Sequence, residues 1–158
     1  MTASAETIPA RVPTPALRQR RYRLSPGLAA VAEAREHVRT AIRDWGLPVS
    51  ADVAVLATWD LVTSLLTEGP GGADGTEGPA GPGAVTLGIS GSGGRLRVDA
   101  YDGRRYRWGT PGLAIVASLA DEWGRYRTPG GRAAYFCQAF VSSPVAPASA
   151  PVGDTSAD

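Results

Sequence analysis

One apolar stretch of the chain carries two polar side chains at a spacing that could serve chemistry. In ATWDLVTSLLTEG, residues 57–69, Asp60 and Ser64 are four residues apart and therefore share one face of a helix. A carboxylate buried on that face costs several kcal/mol unless a donor, a cation or a ligand satisfies it. The pattern predicts either a ligand pocket beside this helix or an ion pair between Asp60 and a nearby Arg.

Two further segments place ligand-binding residue types beside turns of the chain. Asp102 ends the strand pattern RLRVDAYD and precedes Gly103, and an Asp-Gly pair also commonly starts a turn. Gly109 and Gly112 flank the start of a predicted helix, where free backbone N–H groups attract phosphate oxygens. The two glycines equally suit an ordinary helix start, and Ser64 equally suits a bond to a carbonyl of its own helix. The shared order of these residues carries more weight than any one of them.

Three helices are predicted to position these residues. Apolar residues recur at helical spacing from Ser25 to Gly46, Ser50 caps a second helix that ends at Gly69, and Pro111 opens a third helix, PGLAIVASLADEW. The second helix is apolar on nearly all sides, which predicts that it packs between two layers.

Five strands complete the pattern. RRYRLS is a short first strand, AVTLGIS and RLRVDAYD form a hairpin around residues 91–94, and WGRYRT and RAAYFCQAF form another around residues 128–131. The order β-α-α-ββ-α-ββ predicts an α/β two-layer sandwich, with a mixed, mostly antiparallel sheet covered on one face by about three helices. Cys137 is predicted to be a small core residue of the last strand.

The length and the distribution of residue types predict the limits of the domain. The chain has 158 residues, of which 43% are hydrophobic, and this suits one globular domain. The domain is predicted to span residues 19–141, between disordered tails at 1–18 and 142–158. Residues 69–83, rich in Gly and Pro, are predicted to form a mobile loop.

Composition also excludes several classes of function. The sequence has no Lys, which excludes P-loop and Schiff-base enzymes. One Cys and one His exclude an internal disulfide and a structural zinc cluster. The net charge of +1 and the lack of a long apolar run predict a cytoplasmic protein with no membrane partner.

In this order the segments resemble the GHKL superfamily of histidine kinase-like ATPases, and within it the small anti-sigma factor serine/threonine kinase-like proteins common in actinobacteria. WDLVTSLLTEG resembles the N box, usually written SELVTNA followed by His, and LRVDAYDG resembles the strand that ends in the adenine-binding acid. GTPGLAIVASLADEWG is similar to the Gly-rich motif after the ATP lid, and GGRAAYFCQAF to the closing strand pair. The resemblance covers about residues 20–141 and implies a Bergerat-type ATP-binding fold.

The resemblance implies a role for each matching residue. Asp60 stands where the family has the catalytic Glu proposed to polarise the attacking hydroxyl, and Ser64 where it has the Asn that coordinates Mg²⁺. Asp102 and Gly103 match the adenine-binding position. The positions that match the phosphate-binding motif are Gly109, Thr110, Gly112 and Leu113.

Three departures from the family pattern predict weak or absent kinase activity. Ser64 is shorter than Asn and a poorer ligand for an octahedral cation. Asp60 withdraws its carboxylate from the Glu position by about 1.5 Å, and a misplacement of about 1 Å can slow a reaction about 100-fold. The six residues between Asp102 and Gly109 are too few for the lid that the family closes over ATP.

Two functions follow from the resemblance. The first is an ATP- and Mg²⁺-binding regulatory protein of the anti-sigma kinase-like type, with weak or no serine/threonine kinase activity. The second is a nucleotide-free interaction module that binds a sigma factor or an anti-sigma antagonist through its sheet edge or first helix. Homodimers are common in the resembled group, so a homodimer is also implied.

The run RRYRW at residues 104–108 has three alternative interpretations. Arg side chains interleaved with aromatic rings can bind nucleic acid, although five residues in a nearly neutral chain make a small footprint, so nucleic acid is not expected as a partner. A solvated loop is the simpler interpretation. The same Arg side chains also lie where a lid would be, and they are suited to ATP phosphates.

Overall fold

The computed structural model describes residues 16–67, 85–103 and 112–141. Most of the two predicted tails, all of the Gly/Pro segment and the whole Arg-rich run fall outside these ranges, and the predictions made for them stay predictions. The first strand begins at Arg18, one residue before the predicted start of the domain.

Five strands form one sheet in which every described pair is antiparallel. Their order across the sheet is β1-β2-β3-β5-β4, so the connection from β3 to β4 crosses over the position of β5. The bounds are β1 (Arg18–Arg23), β2 (Val85–Ser92), β3 (Arg95–Asp102), β4 (Glu122–Thr128) and β5 (Gly131–Ala139).

Three helices cover one face of this sheet: α1 (Ala29–Trp45), α2 (Ala51–Thr67) and α3 (Ala114–Leu119). The buried core lies between the two layers, and at one edge the ring of Tyr22 on β1 stacks on His37 of α1 with centroids 3.7 Å apart. No helix in the described ranges combines the length and the hydropathy that crossing a bilayer requires. The predicted two-layer α/β sandwich is confirmed.

Helix α2 is the central helix of the covering layer. Ser50 precedes it, and its hydroxyl accepts a hydrogen bond from the N–H of Val53 at 3.3 Å, as the sequence predicted. One face of α2 is fully buried on the sheet, including Leu61. The opposite face is not covered, because Leu56 and Trp59 keep 46% and 38% of their surface exposed. The prediction that α2 packs between two layers is therefore wrong for its outer face.

Helix α3 is much shorter than predicted. It begins at Ala114 rather than Pro111 and ends at Leu119, and β4 begins at Glu122 within the predicted helix. Glu122 and Trp123 pair with Cys137 and Phe136 of β5. The gain from this long-range pairing overrides the local helical pattern. Cys137 is buried in β5, as predicted.

The turn between β4 and β5 packs directly against the backbone at the end of β3, and glycine makes this close contact possible. A methyl group at Gly131 would collide with the carbonyl oxygen of Asp102 and lie 2.8 Å from the Cα atom of Gly103. Both are backbone atoms and cannot swing aside. Only glycine allows β5 to begin so close to the end of β3.

We expect Gly131→Ala to destabilise the fold by about 1 to 3 kcal/mol, the usual range for a forced overpacking. The matched control is Gly88→Ala on β2, where an added methyl would meet nothing closer than 3.8 Å. Urea unfolding of both variants measures the difference. Equal stability of the two variants would contradict the close approach at Gly131.

Candidate functional site

Asp60 occupies the middle of α2 and points at the start of α3. Its Oδ2 atom accepts hydrogen bonds from the backbone N–H groups of Ile115 at 3.1 Å and Val116 at 3.0 Å. A helix start leaves such groups without partners, and the residue preceding the helix, Leu113, makes no side-chain cap. Asp60 therefore caps a neighbouring helix in the way that Asp or Ser usually caps its own.

The capped turn is also strained. Leu113 has φ 76° and is the only non-glycine residue in the described ranges with a positive value. An L side chain adopts this conformation at a cost of about 1 to 2 kcal/mol. Its side chain is only 1% exposed, so burial in the core and the two bonds to Asp60 hold the turn in place.

Asp102, the predicted adenine-binding acid, is fully buried at the end of β3. Its partner position in the sheet register is Arg132 of β5, whose side chain is 1% exposed. The Arg132 Nη2 atom lies 3.5 Å from Asp102 Oδ2. The carboxylate is therefore neutralised inside the protein by a guanidinium.

Arg132 also joins this ion pair to α2. Its Nη2 atom donates a hydrogen bond of 3.1 Å to the carbonyl of Leu65, the residue after Ser64. Ser64 itself is 7% exposed, buried one turn beyond Asp60. The last turns of α2 and the end of β3 thus meet around one buried guanidinium.

The Gly-rich motif is only partly described. Gly109 and Thr110 lie outside the described residues. Gly112 precedes α3, and its carbonyl accepts a hydrogen bond of 3.0 Å from Nη2 of Arg125 on β4. The structure thus brings Asp60 against the start of α3 and Arg132 against Asp102 and α2.

Two cavities are lined by described residues, and both lie away from this cluster. One, of about 350 Å³, lies between α1 and α2 beside Trp59. The other, of about 450 Å³, lies on the face of the sheet that the helices leave open. Among the described residues no three His, Cys, Asp or Glu side chains are grouped to hold a metal ion.

Sequence reasoning missed the two inward-facing arginines, Arg125 and Arg132. Arg132 directly precedes the apolar run of the last strand, and that was the available signal for it. Arg125 has Trp123 on one side and Arg127 on the other at alternate positions, which gives no such signal. Their partners could not be predicted from the sequence, because they depend on the register of β3, β5 and β4. Asp60 was expected to need a partner, and among the described residues that partner is the backbone N–H of Ile115 and Val116.

Comparison with known proteins supports the fold alone. No family model matches the sequence, and no curated protein matches it. Among solved structures, the chain is similar to the RsbU and RsbW domains of Rv1364c from Mycobacterium tuberculosis, with a TM-score of 0.52 and 18% identity. The match covers 79% of this chain and 35% of that one, so the chain spans about a third of that protein's length. At this identity the likeness establishes a shared architecture.

We expect Asp60→Ala to lower stability by about 1 to 2 kcal/mol, because the first turn of α3 loses its acceptor. Asp60→Asn keeps an amide oxygen and loses the charge, so it should lose less. Glu36→Ala, which removes an exposed acid of α1, is the control. Urea unfolding gives the energies, and amide exchange at Ile115 and Val116 should quicken in Asp60→Ala alone. Unchanged exchange at those two amides would contradict the capping role.

A double-mutant cycle tests the buried ion pair. Asp102→Leu or Arg132→Met alone should lower stability by about 3 to 5 kcal/mol, because each removes the oppositely charged partner of a buried ionised group. The double variant should be more stable than either single variant. Additive losses in unfolding free energy would show that the two charges do not depend on each other.

Proposed function

We propose that this chain is a regulatory domain of the anti-sigma kinase-like type that acts by binding a protein partner and has no kinase activity. The two-layer α/β fold, shared with the RsbU and RsbW domains, supports the anti-sigma kinase-like type. The non-catalytic half rests on the residues that the resemblance would assign to ATP. Of those residues, Asp60 and Asp102 make contacts that stabilise the fold of this chain.

The observation that carries the proposal is the buried pair of Asp102 and Arg132. A carboxylate that recognises adenine must be accessible to accept a hydrogen bond from the amino group of the base. Asp102 has no exposed surface, and a guanidinium is its partner. A base would have to reach a carboxylate with no exposed surface and compete there with the guanidinium, which is unfavourable because the ion pair is buried.

The chemistry proposed for Asp60 meets a second obstacle. Its Oδ2 atom caps α3, and α3 must lose that acceptor if the carboxylate turns toward a substrate hydroxyl. The same bonds use two of the N–H groups at the helix start that phosphate oxygens would otherwise bind. The base position is therefore engaged in the fold, and Ser64 departs from the metal ligand of the family pattern. Phosphoryl transfer depends almost wholly on positioning and charge.

A surface suited to a protein partner lies on the outer side of the helical layer. A groove of about 350 Å³ runs between α1 and α2, with Leu56 and Trp59 on its apolar side and Arg35 and Arg39 on the α1 side. Trp and Arg dominate the binding energy of protein interfaces. An apolar groove between two helices accepts one face of a partner's helix. We assign this groove to a helical segment of a sigma factor or of an anti-sigma antagonist.

Isothermal titration with ATP, with and without Mg²⁺, tests the nucleotide half. We expect no saturable heat at millimolar ATP for the natural chain or for Ser64→Asn, because restoring one metal ligand does not release Asp102. If Ser64→Asn gains Mg²⁺-dependent ATP affinity, the ATP-binding function is the better one. Mg²⁺-dependent phosphorylation of an antagonist protein would refute the proposal outright.

The partner half is tested by biolayer interferometry of the nucleotide-free chain against purified sigma factors and antagonist proteins. Trp59→Ala should weaken binding at least about tenfold, since truncating an interface Trp commonly costs 2 kcal/mol or more. Trp123→Ala removes an equally exposed Trp from β4 and serves as control. Equal losses in both variants, or binding that requires ATP, would contradict the groove assignment.

A further inference from the structure

The open face of the sheet contains a hollow that none of the roles above uses. Three strands contribute to it in register: Arg21 of β1 lies opposite Gly88 of β2, and Gly88 lies opposite Asp99 of β3. Because Gly88 has no side chain, the middle of this row is empty. The resulting cavity has a volume of about 450 Å³, within the range of small-molecule sites.

One wall of the hollow is held rigidly. Arg97 donates from Nε and Nη2 to the two carboxylate oxygens of Asp99, at 2.9 and 2.8 Å. Tyr126 donates its hydroxyl to Asp99 at 3.0 Å, and the Arg97 guanidinium lies 3.9 Å from the ring centre of Tyr135. These contacts fix the guanidinium before any ligand arrives. They also neutralise Asp99, whose hydrogen bonds raise the pKa of Arg97 further above its usual value.

The opposite wall, formed by β1, carries the positive charge of Arg21, which no acidic residue in the described ranges neutralises. Arg21 is exposed and makes no ion pair or hydrogen bond with any residue in the described ranges. Around it stand the hydroxyls of Thr86 and Ser90 on β2, one on each side of Gly88. At the rim, the buried hydroxyl of Thr128 has no hydrogen-bond partner among the described residues. The hollow therefore offers one uncompensated positive charge and several hydroxyl donors.

From this geometry we infer that the hollow binds a phosphate group, either as the free ion or as the phosphate ester of a small molecule. A tetrahedral oxyanion seated over Gly88 would accept from Arg21 on one side and from hydroxyls on β2. Charge-assisted bonds to guanidinium are the strongest that such a group makes in proteins. A strand glycine commonly marks a place where a ligand approaches the backbone closely.

The test is a titration of the full chain with inorganic phosphate and with glycerol 3-phosphate, followed by ¹H–¹⁵N NMR at constant ionic strength in chloride. We expect saturable shifts centred on the amides of Arg21, Gly88 and Ser90. Tighter binding of the ester would show that it uses the rest of the hollow, and tighter binding of the free ion would assign the hollow to phosphate itself. Either result supports a phosphate site.

Three variants make the assignment specific. Arg21→Ala should weaken binding about tenfold, whereas Arg23→Ala, the next outward-facing arginine of β1 and outside the hollow, should change it less than about twofold. Gly88→Val should abolish binding without lowering the unfolding temperature, because the space is open and a β-branched residue suits a strand. If that variant is unstable, Gly88→Ala replaces it, with weaker binding expected.

Three results would overturn the inference. The first is the absence of saturable shifts with either phosphate compound. The second is equal weakening by Arg21→Ala and Arg23→Ala, which would indicate diffuse attraction to a basic surface. The third is unchanged binding in a stably folded Gly88→Val, since that side chain fills the proposed seat.

Discussion

The ion pair between Asp102 and Arg132 lies where the sheet meets the end of α2, and neither side chain has more than 1% of its surface exposed. A buried charge is tolerated only when its partner is correctly placed, so this pair fixes the register of β3 against β5. Through the carbonyl of Leu65 the same guanidinium also joins α2 to the sheet. The close approach at Gly131 brings the two strand ends together and makes the pair possible.

Asp60 also stabilises the fold, within the helical layer, where it joins α2 to α3. A helix as short as α3 is not stable by itself, and it depends on tertiary contacts for its first hydrogen bonds. The carboxylate supplies them from the middle of α2, next to a residue in left-handed conformation. The two acidic residues that the family resemblance would assign to nucleotide chemistry are thus both occupied by groups of the protein.

The sequence predicted the fold well where local signals and long-range packing agree. The Ser50 cap, both hairpins and the two-layer order of elements are examples. It failed at α3, because Glu122 and Trp123 follow a helical pattern but gain more by pairing with β5. It could not identify Arg132 as the partner of Asp102, since residues 30 positions apart meet only through strand register. The hollow at Gly88 has the same origin, because it exists only when three strands are aligned.

The most direct test of the central claim is to observe the Arg132 side chain itself while Mg²⁺-ATP is added. In ¹⁵N spectra of the arginine Nε–H groups, a guanidinium held by Asp102 gives a distinct signal that exchanges slowly with water. If the ion pair is part of the fold, this signal and the amide of Ile115 will not shift at millimolar Mg²⁺-ATP. A saturable shift of both would show that nucleotide displaces Arg132 from Asp102, and it would contradict the assignment of these residues to the fold.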